Sequence, residues 1–179
     1  MIETTQAKSV YEKLTGLWMS ALVISQVLFP KFVALWIIFG VLHTIYGIVK
    51  KQRKFEFSWI AAGFASLYLF YVFGLLFSEN IPLGLSYLEN KLSFLILAFV
   101  FSFPPPKQRL RIISLSFISS VVIAILLGFV NSWHSLQELP ELGIIYSFSG
   151  VFFSYLHHPS YFAVYVLLAA FLLIDLRLK

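Results

Sequence analysis

The feature that most constrains this chain is a series of long apolar runs separated by short polar connections. Such runs of about 15 to 21 residues stand at 14–29, 32–49, 57–77, 83–103, 110–130 and 160–174. A helix needs about 20 apolar residues to cross the hydrocarbon core of a bilayer. Transmembrane strands would alternate apolar and polar residues over about ten positions, and these runs do not. The sequence therefore predicts an all-α, polytopic membrane protein with about six transmembrane helices.

Composition supports this class, since 60% of the residues are hydrophobic and only 12% are charged. A water-soluble domain of this size needs more polar residues to cover its surface. No internal repeat or low-complexity linker divides the chain, so we predict a single transmembrane domain over residues 1–179. The sequence contains no cysteine, which excludes disulfides, thiolate catalysis and cysteine-ligated metals. The surplus of positive charge suits an anionic leaflet, and no basic and aromatic platform indicates nucleic acid.

The basic residues fall on one side of the predicted topology. If every run crosses the membrane once, all Lys and Arg residues except Lys31 and Lys91 lie on the same side. The opposite side carries four acidic residues, which are Glu79, Glu89, Glu138 and Glu141. Cytoplasmic loops of membrane proteins are enriched in Lys and Arg. We therefore expect both termini in the cytoplasm, with the first helix retained rather than cleaved as a signal peptide.

The longer outward connection, residues 131–159, leads to the first candidate site. Part of it is too apolar for a free loop and predicts a short interfacial or re-entrant helix at 143–156. Pro159 suits the first position of the last helix, whose N-terminal N–H groups would face outward. With His157 and His158 beside it, this helix start is a candidate site for an anion such as phosphate. The alternative is an ordinary helix start with imidazole rings among the lipid head groups.

Glu89 and Lys91 form the second candidate site, at the predicted outer end of the fourth helix. Charged side chains within an apolar segment are costly unless they face a cavity or a partner. Two positions apart on a helix, these two side chains point about 200° away from one another and do not form a simple pair. One of them is then available to a hydrated cavity. The alternative is an interfacial helix start with a lysine that extends to the head groups.

Two short motifs resemble a known family. The stretch Leu88-Glu89-Asn90-Lys91-Leu92-Ser93, followed two helices later by His158-Pro159-Ser160-Tyr161-Phe162-Ala163, is similar to the O-antigen ligase and O-antigen polymerase superfamily in its Bacteroidetes-type form. The basic linker between the second and third helices fits the same pattern. The resemblance implies a glycosyltransferase of the bacterial cytoplasmic (inner) membrane that works at its outer face.

The implied reaction moves a glycan from a polyprenyl diphosphate carrier to lipid A–core or to a growing polysaccharide. Family members are regarded as inverting enzymes that need neither metal nor cofactor. The matching positions make Lys91 and His158 candidates for binding or orienting the diphosphate. Glu89 would orient Lys91 or contact sugar, and Tyr161 would pack or hydrogen-bond in the cavity. The resemblance assigns no catalytic residue here.

The chain departs from the family in length. Family members are about twice as long, and their later half carries an arginine and a histidine that nothing here matches. The chain therefore resembles only the N-terminal half of such an enzyme, and a further segment or partner chain would supply the rest. Whether it acts as an enzyme alone is left open. The alternative function is a non-enzymatic polytopic membrane protein, such as a transporter subunit or an assembly partner.

Overall fold

The structure is a computed structural model that describes residues 2–103, 105, 107–139, 141, 143–148, 150–154 and 156–178. Helices account for 84% of it, and no strand occurs within those ranges. The predicted all-α class is therefore confirmed. In chain order the helices are α1 (Ile2–Leu28), α2 (Val33–Val49), α3 (Trp59–Leu75), α4 (Ile81–Asn90), α5 (Leu92–Phe101), α6 (Lys107–Glu138), α7 (Gly143–Ser147), α8 (Gly150–Phe153) and α9 (Pro159–Leu178).

Four helical stretches within the described ranges are long and apolar enough to cross a membrane. They are Pro30–Val49, Ile81–Phe101, Arg109–Glu138 and Pro159–Arg177. The helix α3 is also apolar but has only 17 residues. The predicted run at 14–29 lies in α1 except for its last residue, and α1 is not one of the four. Four such helices indicate a membrane protein.

Several helix bounds differ from the sequence prediction. The run predicted at 83–103 is divided at Lys91 into α4 and α5. The run at 110–130 is longer in the structure, because α6 continues to Glu138. The single helix predicted at 143–156 is instead the two short helices α7 and α8, and Ser149 and Tyr155 of that range lie outside the described residues. The helix α9 begins at Pro159, as its position before an apolar run predicted.

The chain divides into two compact units, one comprising Met1–Thr15 and Ile37–Pro106, the other comprising Gly16–Trp36 and Lys107–Lys179. In the first unit α3 packs against both α4 and α5. The rings of Phe64 and Phe101 stack with centroids 5.7 Å apart, and those of Tyr71 and Phe94 lie 6.2 Å apart. Later residues of α3 thus meet earlier residues of α5, which makes the two helices antiparallel.

A polar junction joins the start of α1 to α2 in the first unit. The Tyr11 hydroxyl donates to the His43 carbonyl over 3.1 Å, and the two rings stack with centroids 4.2 Å apart. The Thr15 hydroxyl donates to the Tyr11 carbonyl and lies 2.8 Å from His43 Nε2. Gly47 allows this approach, since a side chain there would meet the Tyr11 ring. Small residues at helix contacts are typical of membrane proteins for this reason.

The second unit is built around α6, which packs against α7, α8 and α9. Its buried core contains Val27, Phe117, Ile118, Val121, Ala124, Phe162 and Ala169. The Asn131 side chain donates to the Phe152 carbonyl over 2.6 Å. Beside it, a Cβ on Gly128 would collide with the Phe153 carbonyl. These two contacts hold α8 directly against the backbone of α6.

We expect Gly47→Ala to destabilise the protein, because the added methyl group must displace the buried Tyr11 ring. Overpacking of this kind typically costs about 1–3 kcal/mol. Gly63→Ala in α3 is the matched control, since nothing lies within 4 Å of its added Cβ. Thermal unfolding in detergent should show a lower melting temperature for Gly47→Ala only. Equal melting temperatures for the two variants would contradict this packing.

Candidate functional site

The regular helix is interrupted at Lys91, which lies between the end of α4 and the start of α5. The Lys91 N–H donates to the Leu88 carbonyl over 3.0 Å, three residues back rather than four. The helix starts again as α5, where the Phe94 N–H donates to the Lys91 carbonyl over 2.9 Å. The interruption falls near the middle of the candidate span Ile81–Phe101, not at its end as the sequence suggested. Lys91 is therefore a cation placed within an apolar helical stretch.

A cavity of about 370 Å³ lies beside this interruption, within the first unit. Its lining includes the rings of Phe70, Tyr71 and Tyr87, the side chains of Leu75 and Ser78, and Lys91. The Lys91 ammonium lies 5.5 Å from the centroid of the Tyr71 ring, a cation–π distance. No carboxylate belongs to the described lining, so the cavity carries net positive charge. Such a cavity is suited to an anionic group attached to an apolar body.

Glu89 does not take part in this cavity. Its side chain is exposed, and it is not part of the lining, whereas Lys91 is partly buried there. The two charges of the motif thus have different surroundings. Gly84, Tyr87 and Lys91 all line the cavity and recur at the spacing of one helical face. From the sequence, this spacing could have placed Tyr87 on the same helical face as Lys91. Nothing in the sequence indicated that Tyr71 on α3 would line the same cavity.

His157 has a structural role in the second unit. Its Nε2 lies 2.9 Å from the Val27 carbonyl. A carbonyl only accepts, so Nε2 carries the proton and donates it. Val27 is in the last turn of α1, where carbonyl groups lack partners within the helix. The His157 ring also meets the ring of Tyr165 edge-on, with centroids 5.3 Å apart.

His158 and Tyr161 lie at the exposed N-terminus of α9. The His158 carbonyl accepts from the N–H groups of Tyr161 and Phe162, and its Nδ1 lies 3.4 Å from the Ser160 N–H. This is the arrangement of a helix cap. The rings of His158 and Tyr161 are 6.1 Å apart. Both side chains are accessible to a ligand, and the contact with the Ser160 N–H also gives the His158 side chain a structural role.

The five candidates thus belong to different units. Glu89 and Lys91 are in the first unit, and His157, His158 and Tyr161 are in the second. Among the described side chains, no three His, Cys, Asp or Glu residues come together to hold a metal ion. No family model, no curated protein and no solved structure matches this chain.

We expect His157→Ala to lower the melting temperature, because it leaves the buried Val27 carbonyl without its donor. A buried polar group left unsatisfied costs about 1–3 kcal/mol. His134→Ala is the control, since the contact described for this exposed residue is with Glu138 on the surface, where ion pairs contribute about 0–1 kcal/mol. Thermal unfolding of both variants checks the assignment. If His157→Ala is as stable as His134→Ala, the structural role of His157 is contradicted, and His157 is again a candidate for binding a ligand.

Proposed function

We propose that this chain belongs to a membrane glycosyltransferase of the O-antigen ligase or polymerase type. It acts on a glycan carried by polyprenyl diphosphate, at the outer face of the bacterial inner membrane, and transfers it to lipid A–core or to a polysaccharide. The observation that carries the proposal is the cavity lined by Lys91 and aromatic rings. The residues that resemble the family motif therefore include Lys91, the one cation of the described cavity lining.

The chemistry of this cavity supports such a ligand. A polyprenyl diphosphate joins a strongly anionic group to an apolar chain, and the cavity joins an ammonium to aromatic and aliphatic walls. Hydrogen bonds between charged groups are the strong ones in an apolar setting. The tyrosine rings of the lining also offer flat apolar faces with a polar hydroxyl at the edge. In this proposal Lys91 binds the diphosphate, and Ser78 and the tyrosine hydroxyls contact the sugar.

The other candidates take different parts in the proposal. Exposed His158 lies at the positive end of α9 in the second unit, where it remains a candidate for orienting an anionic group, with Tyr161 beside it. Glu89, which is exposed, would contact sugar rather than pair with Lys91. His157 is assigned to the fold, since its donor is committed to the Val27 carbonyl. The mechanism is inverting and uses neither metal nor cofactor, and a further segment or partner chain contributes the remaining catalytic groups.

The proposed topology has six crossings with both termini in the cytoplasm. It adds the latter part of α1 and all of α3 to the four long apolar helices. The support is the distribution of charge, since the two additional crossings leave Lys31 as the only Lys or Arg of the sequence in an outer connection, while Lys91 lies within a span. Without a crossing by α3, the lysines before it and Glu79 after it would share one side of the membrane.

A second candidate function is a non-enzymatic transporter subunit or assembly partner. The observation that favours it is the interruption of a candidate span at Lys91. Many transporters place their substrate sites at interrupted helices near the bilayer midplane. In that case Lys91 would bind an anionic substrate that crosses the membrane unchanged. Deletion of the gene would then leave the surface glycan unaltered, and the chain would co-purify with a defined partner.

The function is tested in the source organism by replacing the gene with a Lys91→Ala variant. Loss of one charged hydrogen bond, about 1.5–3 kcal/mol, should lower glycan transfer about tenfold to a hundredfold. The measurement is the surface polysaccharide profile together with the amount of glycan held on polyprenyl diphosphate, which should accumulate. Lys31→Ala, which removes an exposed outward lysine, is the matched control. A normal profile with Lys91→Ala present in the membrane at the wild-type level would refute the proposal.

The topology is tested with single cysteines, each of which is the sole thiol because the sequence has none. We expect Glu79→Cys and Glu138→Cys to react with a membrane-impermeant maleimide in intact spheroplasts. Lys51→Cys and Lys107→Cys should react only after permeabilisation. All four positions are exposed, so access within the protein is matched. Equal labelling at positions 51 and 79 would mean that α3 does not cross the membrane.

A further inference from the structure

The segment that follows α2 and ends at the first residue of α3, residues 50–59, combines basic and aromatic residues and is called here the basic–aromatic segment. It reads Lys-Lys-Gln-Arg-Lys-Phe-Glu-Phe-Ser-Trp, and Glu56 is its one acidic residue. It begins where the candidate span Pro30–Val49 ends. If that span crosses the bilayer, this segment lies at the membrane–water interface.

The backbone of the basic–aromatic segment is held in place within the first unit. The N–H groups of Gln52 and Arg53 donate to the Gly47 carbonyl over 2.8 and 3.2 Å, after a left-handed turn at Lys51 with a φ of 54°. Further along, the Glu56 N–H donates to the Ser102 carbonyl over 3.0 Å. The backbone of the segment is therefore fixed at two points, so its exposed side chains project from a backbone of defined conformation.

The four cations of the segment divide into two kinds. Arg53 is partly buried, donates to the Phe103 carbonyl over 2.5 Å, and lies with its Cζ 5.7 Å from the centroid of the Tyr11 ring. Burial lowers the pKa of Arg53, but its ordinary value is so high that the guanidinium stays charged. By contrast, Lys50, Lys51 and Lys54 are exposed. Arg53 thus fastens the segment, and the three lysines are available to a partner.

The aromatic residues of the segment are exposed beside these lysines. Phe55, Phe57 and Trp59 are 71%, 70% and 82% exposed. The rings of Phe57 and Trp59 meet edge-on, with centroids 5.1 Å apart. Aromatic rings of this kind are enriched at the level of the lipid head groups. A partner of this surface must therefore offer negative charge and apolar volume at the same place.

We propose that the basic–aromatic segment binds anionic phospholipids, with Lys50, Lys51 and Lys54 on the phosphate groups and the exposed rings among the upper acyl chains. Charge complementarity and the position at the end of a candidate span support a lipid as the occupant. A nucleic acid would satisfy the lysines, but it would leave the apolar rings next to the span in water. The proposal does not depend on glycan transfer.

The test uses the purified full chain in neutral detergent. Thermal unfolding is followed as short-chain phosphatidylglycerol or phosphatidylcholine is added. We expect phosphatidylglycerol to raise the melting temperature and phosphatidylcholine to have little effect. About 0.5 M salt should reduce the shift, because it screens exposed charges. Substituting Lys50, Lys51 and Lys54 together by Gln should require at least about tenfold more phosphatidylglycerol for the same shift, whereas Arg at all three positions should preserve it.

Two matched variants decide between outcomes. Lys31→Gln with Lys107→Gln and Arg111→Gln removes the same charge from other exposed positions and should respond to phosphatidylglycerol like the wild type. Phe57→Ala with Trp59→Ala should respond more weakly, while its melting temperature without lipid stays near the wild-type value. The proposal is overturned if the three-lysine variant responds normally, or if both charge variants lose the response equally. A full response from the aromatic variant would mean a general polyanion site and would overturn it as well.

Discussion

Backbone hydrogen bonding in the absence of water is the constraint on which the rest of this structure depends. In the hydrocarbon of a bilayer each N–H and C=O group must find its partner inside the protein. Regular helices meet this requirement by themselves, and most of the chain is helical for that reason. Where a helix stops, a tighter backbone turn or a side chain can replace the missing partner. His157 does so for the Val27 carbonyl, and Asn131 does so for the Phe152 carbonyl.

This requirement separates structural polar residues from available ones. The interruption at Lys91 is bridged by backbone groups alone, through Leu88 on one side and Phe94 on the other. The Lys91 ammonium is therefore not needed to complete the backbone, and it faces the cavity and the Tyr71 ring instead. His157 has the opposite position, since its ring nitrogen is committed to a carbonyl. Lys91 and His157 are thus both functional candidates in the sequence, but His157 is needed for a backbone hydrogen bond and Lys91 is not.

The helical class and several helix ends followed from the sequence because they depend on local properties. Apolar length predicted α2 and α3 to within a few residues, and Pro159 fixed the start of α9. The interruption at Lys91 was not predicted, since the apolar run continues through it and no proline or turn motif marks it in the sequence. The extension of α6 to Glu138 carries polar residues past the apolar run, where hydropathy ceases to mark the end of a helix.

The candidate site was predictable only in its charged member. A lysine in an apolar run is conspicuous because its burial is costly, whereas a tyrosine in the same run is not. Tyr71 and Tyr87 become significant when antiparallel packing of α3 brings them to the same cavity as Lys91. Pairing between helices is non-local, so no window of sequence contains it. The same reasoning divides Arg53 from its neighbouring lysines. Four similar charges lie close together in the sequence. Only the fold shows that Arg53 donates a hydrogen bond to the Phe103 carbonyl, while the three lysines remain at the surface.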